Sequence, residues 1–200
     1  MIHGRLVSLR DLGILPSIHK DTTPFSVMSF THNQESDVHI RRLRLREVRA
    51  FANLRAEVER EATHLAVSNG ERKEGIAYVL LRIFINRKRM HTFIAEKDGE
   101  FVGFITVLFP KFKKLRRNAY LTLSVKKDAR GHGIGTKLIK KAEAFARERK
   151  SRRLELDVFA KNKNAIHLYE KLGFNHEGRR VQAVEDKDGF DDVILMGKLL

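Results

Sequence analysis

The sequence predicts an α/β fold, a mixed central sheet with helices on both faces. Three observations carry that expectation. Apolar segments of strand length and alternating period interleave with segments of helical period. Lys97-Asp98-Gly99 is a tight hairpin signal, so antiparallel neighbours are expected. Arg130-Gly131-His132-Gly133-Ile134-Gly135-Thr136 joins an alternating strand directly to an amphipathic helix. The expected order is β-α-α-β-β-β-α-β-α-β-β, a sheet of six to seven strands.

Residues 1–36 contain Pro16 and Pro24, show no sustained period and are dominated by Ser, Thr, Asn, Asp and His after Asp21. They read as a poorly ordered leader before a domain at 37–200, with Met28 as an alternative start. Val38–Leu43 reads as a first strand. Glu47–Glu61 follows as a helix with Val48, Phe51, Ala52, Arg55 and Val58 along one side. Asn69-Gly70 breaks the pattern, and Glu71–Asn86 aligns Ile76, Val79, Leu80 and Ile83 as a second helix. His91–Glu96 and Glu100–Phe109 form the hairpin, and a basic connection, Lys111–Arg117, leads into a strand at 118–126. Helix 134–150 presents Ile134, Leu138, Ile139, Ala142, Phe145 and Ala146 on one face. Strand Arg153–Phe159 and helix Asn162–Leu172 follow, the latter closed by Gly173. Two last strands, about 174–185 and 190–199, meet at Asp186-Lys187-Asp188-Gly189.

Composition narrows the chemistry. With 42% apolar and 32% charged residues the chain suits a soluble domain that buries a core. No apolar run approaches the roughly 18–20 residues of a membrane span. Leu12–Leu15 is too short for a signal-peptide core, so a cytoplasmic protein without membrane association is expected. The absence of cysteine excludes disulfides, zinc-thiolate sites and a cysteine nucleophile. The nine histidines form no HxxxH pair, and no metal site is expected.

The net charge of +15 is uneven. Residues 111–153 hold 16 Lys/Arg against 3 Asp/Glu, whereas 1–110 hold 17 against 13 and 154–200 hold 7 against 9. Because the excess surrounds the glycine-rich turn in sequence, a polyanionic ligand or partner is expected beside that turn. A solvated basic helix face accounts equally well for Lys140, Lys141, Arg147, Arg149 and Lys150.

The glycine-rich turn leaves backbone N–H groups exposed at a helix N-terminus, an arrangement that binds phosphate. It lacks the G-K-[S/T] ending of a P-loop, and its glycines are spaced more tightly than in a dinucleotide fingerprint. The remaining pattern, R-x-x-G-x-G on Arg130, Gly133 and Gly135, resembles the coenzyme A pyrophosphate loop of the GNAT superfamily of N-acetyltransferases. A second run, Asn162-Lys-Asn-Ala165-Ile166-His-Leu168-Tyr169-Glu170-Lys171-Leu172-Gly173-Phe174 after the strand at 154–159, is similar to the other GNAT signature and stands at the expected distance. The resemblance covers the chain from Val38 to Leu200.

It implies a single GNAT-type domain, splayed at the strands near 120–126 and 153–159, with acetyl-CoA as cosubstrate. Backbone N–H groups of Arg130, Gly131, Gly133, Gly135 and Thr136 would then hold the pyrophosphate. Leu123 and Val125 would offer backbone groups to the pantetheine arm, and Asn162 a hydrogen bond; Asn162 equally suits a helix N-cap. Tyr169 would protonate the departing thiolate after direct amine attack in a ternary complex. The general base is left open among Glu61, Glu155, Asp157, His64 and His167. The acceptor is a primary amine of unknown identity: a polyamine, an amino acid, or a protein or peptide amine. Glu71, Glu74, Glu185, Asp186, Asp188, Asp191 and Asp192 could attract a cationic one. Two other readings stand beside the enzyme: a non-catalytic CoA-binding sensor, and a basic ribosome- or nucleic-acid-associated protein using residues 111–153. Edge-strand pairing into a homodimer is a further implied state.

Overall fold

Asp98 and Gly99 both adopt left-handed φ (52° and 81°), the conformation a two-residue hairpin turn needs to match strand twist. They join strands β2 (Met90–Lys97) and β3 (Glu100–Leu108), around which the sheet is assembled. The computed structural model describes residues 38–61, 79, 81, 83, 85–186 and 189–200. The chain divides into two units, Met1–Gln34 and Glu35–Leu200; the expected leader lies outside the described residues.

The other elements are β1 (His39–Arg42), α1 (Val48–Glu61), β4 (Asn118–Val125), α2 (Ile134–Glu148), β5 (Arg153–Phe159), α3 (Lys163–Lys171), β6 (Asn175–Asp186) and β7 (Gly189–Leu199). They form one seven-stranded sheet in the order β1-β2-β3-β4-β5-β7-β6. Every neighbouring pair is antiparallel except β4 and β5, which are joined by α2 as a parallel crossover. The helix expected at Glu71–Asn86 lies largely outside the described residues; Val79, Leu81, Ile83 and Ile85 are helical. Among the described residues no helix is long and apolar enough to cross a membrane.

Strand alternation sorts the core into two layers. Phe93 and Ile105 face one side of the sheet, while their neighbours Ile94 and Phe104 face the other. α1 covers Ile94 and Phe104 with Val48, Phe51, Leu54 and Val58, and the Phe51 and Phe104 rings meet edge-on at 5.1 Å. Leu54 is the centre of that face. Ala52 and Arg55, expected on it, are half-buried at its margin. α2 covers Phe93, Ala95, Ile105 and Val107 with Ile134, Leu138, Ile139, Ala142 and Ala146, and α3 adds Ile166 and Tyr169 on the same side.

A buried polar knot closes one end of this layer. His91 packs edge-on against Phe109 and Phe145. Its Nδ1 lies 2.5 Å from Arg42 Nη2 and its Nε2 3.3 Å from the Lys88 carbonyl, to which Arg149 Nη2 also donates. Arg149 Nη2 also stands 3.0 Å from Nε2, so both ring nitrogens face guanidinium donors, which disfavours a further proton on the ring. Burial, followed by the charges of Arg42 and Arg149, pulls the His91 pKa down to about 4. The folded protein therefore holds His91 neutral where the unfolded chain, titrating near 6.5, binds a proton. That stability is complete above about pH 6.5, is lost progressively toward pH 4, and amounts to about 3 kcal/mol. Denaturant titrations across this interval should show a steeper decline for the wild type than for His91→Asn, which cannot titrate; parallel declines would contradict the assignment.

Candidate active site

A strand pair that stops pairing makes the cleft. β4 and β5 are in register at Asn118–Arg153, Ala119–Leu154 and Tyr120–Glu155, and no pair follows. β4 nevertheless continues to Val125 and β5 to Phe159. Beyond Tyr120 β4 keeps its partner β3 on one side only. A cleft of about 730 Å³ opens in the divergence. All nine site residues expected from the sequence line it: Leu123, Val125, Arg130, Gly131, Gly133, Gly135, Thr136, Asn162 and Tyr169.

The glycine loop is held from below by α1. Glu57 pairs with Lys126 at 2.9 Å, and Glu61 Oε2 accepts the Lys127 N–H at 2.8 Å. Gly131 and Gly133 have φ of 82° and 73°, where a side chain would strain the backbone, and a Cβ at either position would meet only open space. The first helical hydrogen bond of α2 runs from Lys137 N–H to the Gly133 carbonyl. The N–H groups of Ile134, Gly135 and Thr136 therefore have no intrahelical acceptor and lie at the positive end of the helix dipole. Gly135 serves a different purpose: a Cβ there would stand 3.0 Å from Leu168 Cδ2, so the glycine lets α2 begin tight against α3. Arg130 Nε donates to the Val125 carbonyl at 3.0 Å, which ties the loop back to β4 and occupies one of the acceptors expected to face a ligand.

The other wall is the start of α3. Asn162 is its N-cap, with Oδ1 accepting the Ala165 N–H at 3.2 Å. Its amide NH₂ is left for a ligand, so capping and binding are compatible. Asp191 on β7, buried, fixes the preceding turn by accepting the Lys161 N–H. This buried role differs from the attraction of a cationic amine expected of Asp191 from the sequence.

Tyr169 lies under the cleft at 7% exposure, its ring edge-on to Phe174 at 5.8 Å. Burial, and secondarily Tyr120, push its hydroxyl well above the usual phenol range. Tyr120 is itself pushed up to about 12 by burial and by the adjacent Asp157 carboxylate. Both phenols thus stay protonated through the neutral range.

The candidate bases separate clearly. Glu61 is committed to Lys127. Glu155 accepts from Asn118 Nδ2 at 2.8 Å and Arg153 Nε at 2.7 Å. Asp157 stands on the diverging part of β5 beside Tyr120 and pairs with Arg180 at 3.0 Å. His167 lines the cleft, and His64 lies outside the described residues. Of the acidic residues expected to attract an amine, Asp192 pairs with Arg179, while Glu71, Glu74, Asp188 and the Asp186 side chain lie outside the description.

The placement of charge corrects the sequence reading. Of the 16 Lys/Arg in residues 111–153, Arg130 alone lines the cleft. Its other cations, Lys161, Lys163 and Lys171, come from the α3 region. Residues 111–117 and 147–153 lie at the opposite end of β4 and β5, because a strand and a helix each carry the chain the full depth of the sheet before the next turn. Val58, Ser124 and Asn164 also line the cleft and were not singled out. Val58 belongs to the α1 stripe, whose period reads only as core.

Comparison with known proteins agrees with this geometry. A family model described as acetyltransferase (GNAT) family matches residues 69–174. The sequence is 36% identical over 88 residues, 42% of the chain, to an uncharacterised N-acetyltransferase of Methanocaldococcus jannaschii. That match spans 39% of the relative, less than half its length. A ribosomal-protein-alanine N-acetyltransferase structure from Brucella melitensis is similar at a TM-score of 0.72 and 26% identity, covering 81% of this chain and 99% of that one. A Salmonella typhimurium structure solved with its cofactor acetyl-CoA gives 0.73 at 17% identity, covering 82% and 95%, and shares the fold.

Gly133→Glu and Gly135→Glu each set a carboxylate against the exposed N–H groups of the loop. Calorimetry with coenzyme A should show affinity at least about tenfold weaker for both; unchanged affinity would remove the loop from the site.

Proposed function

The chain belongs to the GNAT acetyltransferase family, and on that footing we propose that it transfers an acetyl group from acetyl-CoA to a primary amine by direct attack. The observation that carries the reading is the convergence of two helix N-termini on a strand whose outer backbone has no partner. Bound acetyl-CoA supplies an acyl group activated as a thioester. The N–H groups of Gly131 to Thr136 and the Arg130 guanidinium hold its pyrophosphate. The backbone groups at Leu123 and the Val125 N–H take an extended, amide-bearing arm as β4 would take a further strand. A β4 N–H polarises the reacting carbonyl.

Two side chains move protons in this reading. Tyr169 gives its proton to the departing thiolate, a role suited to a hydroxyl that burial keeps protonated. Asp157 accepts the proton that the acceptor ammonium must lose before attack. With no cysteine in the chain, a cysteine acyl-enzyme plays no part.

The reading extends to the acceptor: the free N-terminal α-amine of a protein or peptide. An α-amine titrates near 8 and is partly neutral at physiological pH, whereas a lysine or polyamine ammonium near 10 is almost wholly protonated there. The similarity to a ribosomal-protein-alanine N-acetyltransferase points the same way. The cytoplasmic setting expected from the sequence is retained.

Thiol release from acetyl-CoA should be faster with a peptide bearing a free N-terminus than with spermine. Release with no amine, while acetyl-CoA still binds, would leave a binding domain and overturn the catalytic reading. Tyr169→Phe keeps the buried ring but removes the proton, and should lower kcat about 10²-fold with little change in KM. Asp157→Asn should slow the reaction most at low pH and recover as rising pH frees the amine; a loss independent of pH would contradict its role as base.

A further inference from the structure

Three segments meet at the end of the sheet remote from the cleft. They are residues 86–89 before β2, 109–117 between β3 and β4, and 147–153 from the end of α2 into β5. Hydrogen bonds tie them together. Arg149 Nη2 donates to the Lys88 carbonyl, Arg117 Nη1 to the Lys150 carbonyl, and the Phe109 and Arg152 N–H groups to the carbonyls of Arg89 and Arg117. The segments carry thirteen Lys and Arg against one acidic residue, Glu148. Every residue from 111 to 117 is exposed. Lys111, Lys113, Lys114 and Arg116 make no ion pair among the described residues.

This charge is too far away to serve the cofactor. β4 has eight residues, so its two ends are about 25 Å apart at ~3.3 Å per residue. At physiological salt the Debye length is about 8 Å, and exposed charges at that separation contribute almost nothing to binding in the cleft. Lys111, Lys113, Lys114 and Arg116, clustered without an ion-pair partner among the described residues, also cost stability by self-repulsion. The persistence of this charge as one surface, assembled from three separate stretches of chain, is explained by a second polyanion.

We propose that this end of the sheet is an RNA-binding surface, separate from the acetyl-CoA cleft. Eight of the thirteen cations are arginines; Arg147 and Arg153 pair with carboxylates, while Arg116 and Arg152 are exposed and present planar forks that pair bidentately with phosphodiester oxygens. Phe112, 71% exposed and flanked by Lys111 and Lys113, offers a ring face on which an unpaired base stacks. The cations are spread over the ends of four strands rather than arrayed opposite the apolar face of a helix, so the surface suits a phosphate backbone better than a lipid interface. The surface stands on charge and geometry alone and does not depend on the acceptor assigned above.

The test uses the full chain and a labelled single-stranded oligoadenylate, titrated between about 50 and 200 mM salt. The wild type should bind with affinity that falls steeply with salt. Combining Lys111→Gln, Lys113→Gln, Lys114→Gln and Arg116→Gln should flatten the log–log salt slope by about 3, near 0.7 for each contact removed. Phe112→Ala should weaken binding about tenfold while leaving that slope unchanged, since stacking releases no counterion. Acetyl-CoA affinity should be unaffected in both proteins. Wild-type RNA binding no tighter than that of the quadruple variant would overturn the proposal. So would binding to phosphatidylserine vesicles without binding to RNA, or a parallel loss of acetyl-CoA affinity, which would make the band part of the cofactor site.

Discussion

The parallel contact between β4 and β5 ends after Tyr120 and Glu155, and the site depends on that ending. A parallel neighbour must be reached by a crossover, so α2 is obliged to begin at the open end of β4. α3 then begins at the open end of β5, which brings two helix N-termini to one gap. Between them, β4 retains backbone groups with β3 on one side and no strand on the other. Backbone groups left there without a strand partner suit a ligand that brings amides of its own. Leu168 and Tyr169 occupy the space beneath, where closure of the two strands would displace them.

Local packing decides how finely this arrangement is held. Gly135 lets Leu168 approach to the limit of contact, so the spacing between α2 and α3 is set by a missing side chain. α1 secures the other side of the loop through Glu57 and Glu61, and Asp191 secures the turn before Asn162. The loop that meets the phosphates is thus tethered from both layers of the fold. These tethers restrain the loop, which lowers the ordering cost of binding.

Much of this was legible in the sequence where one residue type has one physical use. Asp98-Gly99 could only be a tight turn, Gly173 takes the left-handed φ that ends α3, and the alternation of Arg153–Phe159 marks β5 to the residue. The spacing of Arg130, Gly133 and Gly135 with the Asn162–Phe174 run was enough to bring nine residues to one cleft. Where a residue serves several uses, the sequence was less informative. Ala52 and Arg55 fit the helical stripe as well as Leu54, and only packing against Ile94 and Phe104 selects Leu54. Asp191 and Asp192 are neighbours of identical type, yet one is buried under a turn and the other pairs with Arg179 at the surface. The basic stretch misled for a further reason: nearness along the chain to the glycine turn is not nearness in space when α2 spans the sheet between them. The two ends of the sheet consequently carry different electrostatic tasks, a few cations around a shaped cleft and many on an open surface.

The central claim is that unpaired β4 backbone and the α2 N-terminus form one ligand site. Amide hydrogen exchange with and without acetyl-CoA tests it most directly, because it reads the backbone groups themselves. Acetyl-CoA should slow exchange in 121–125 and 131–136 together, while 86–89 and 109–117 at the far end exchange as before. Slowing confined to the glycine loop, with 121–125 unchanged, would contradict the account.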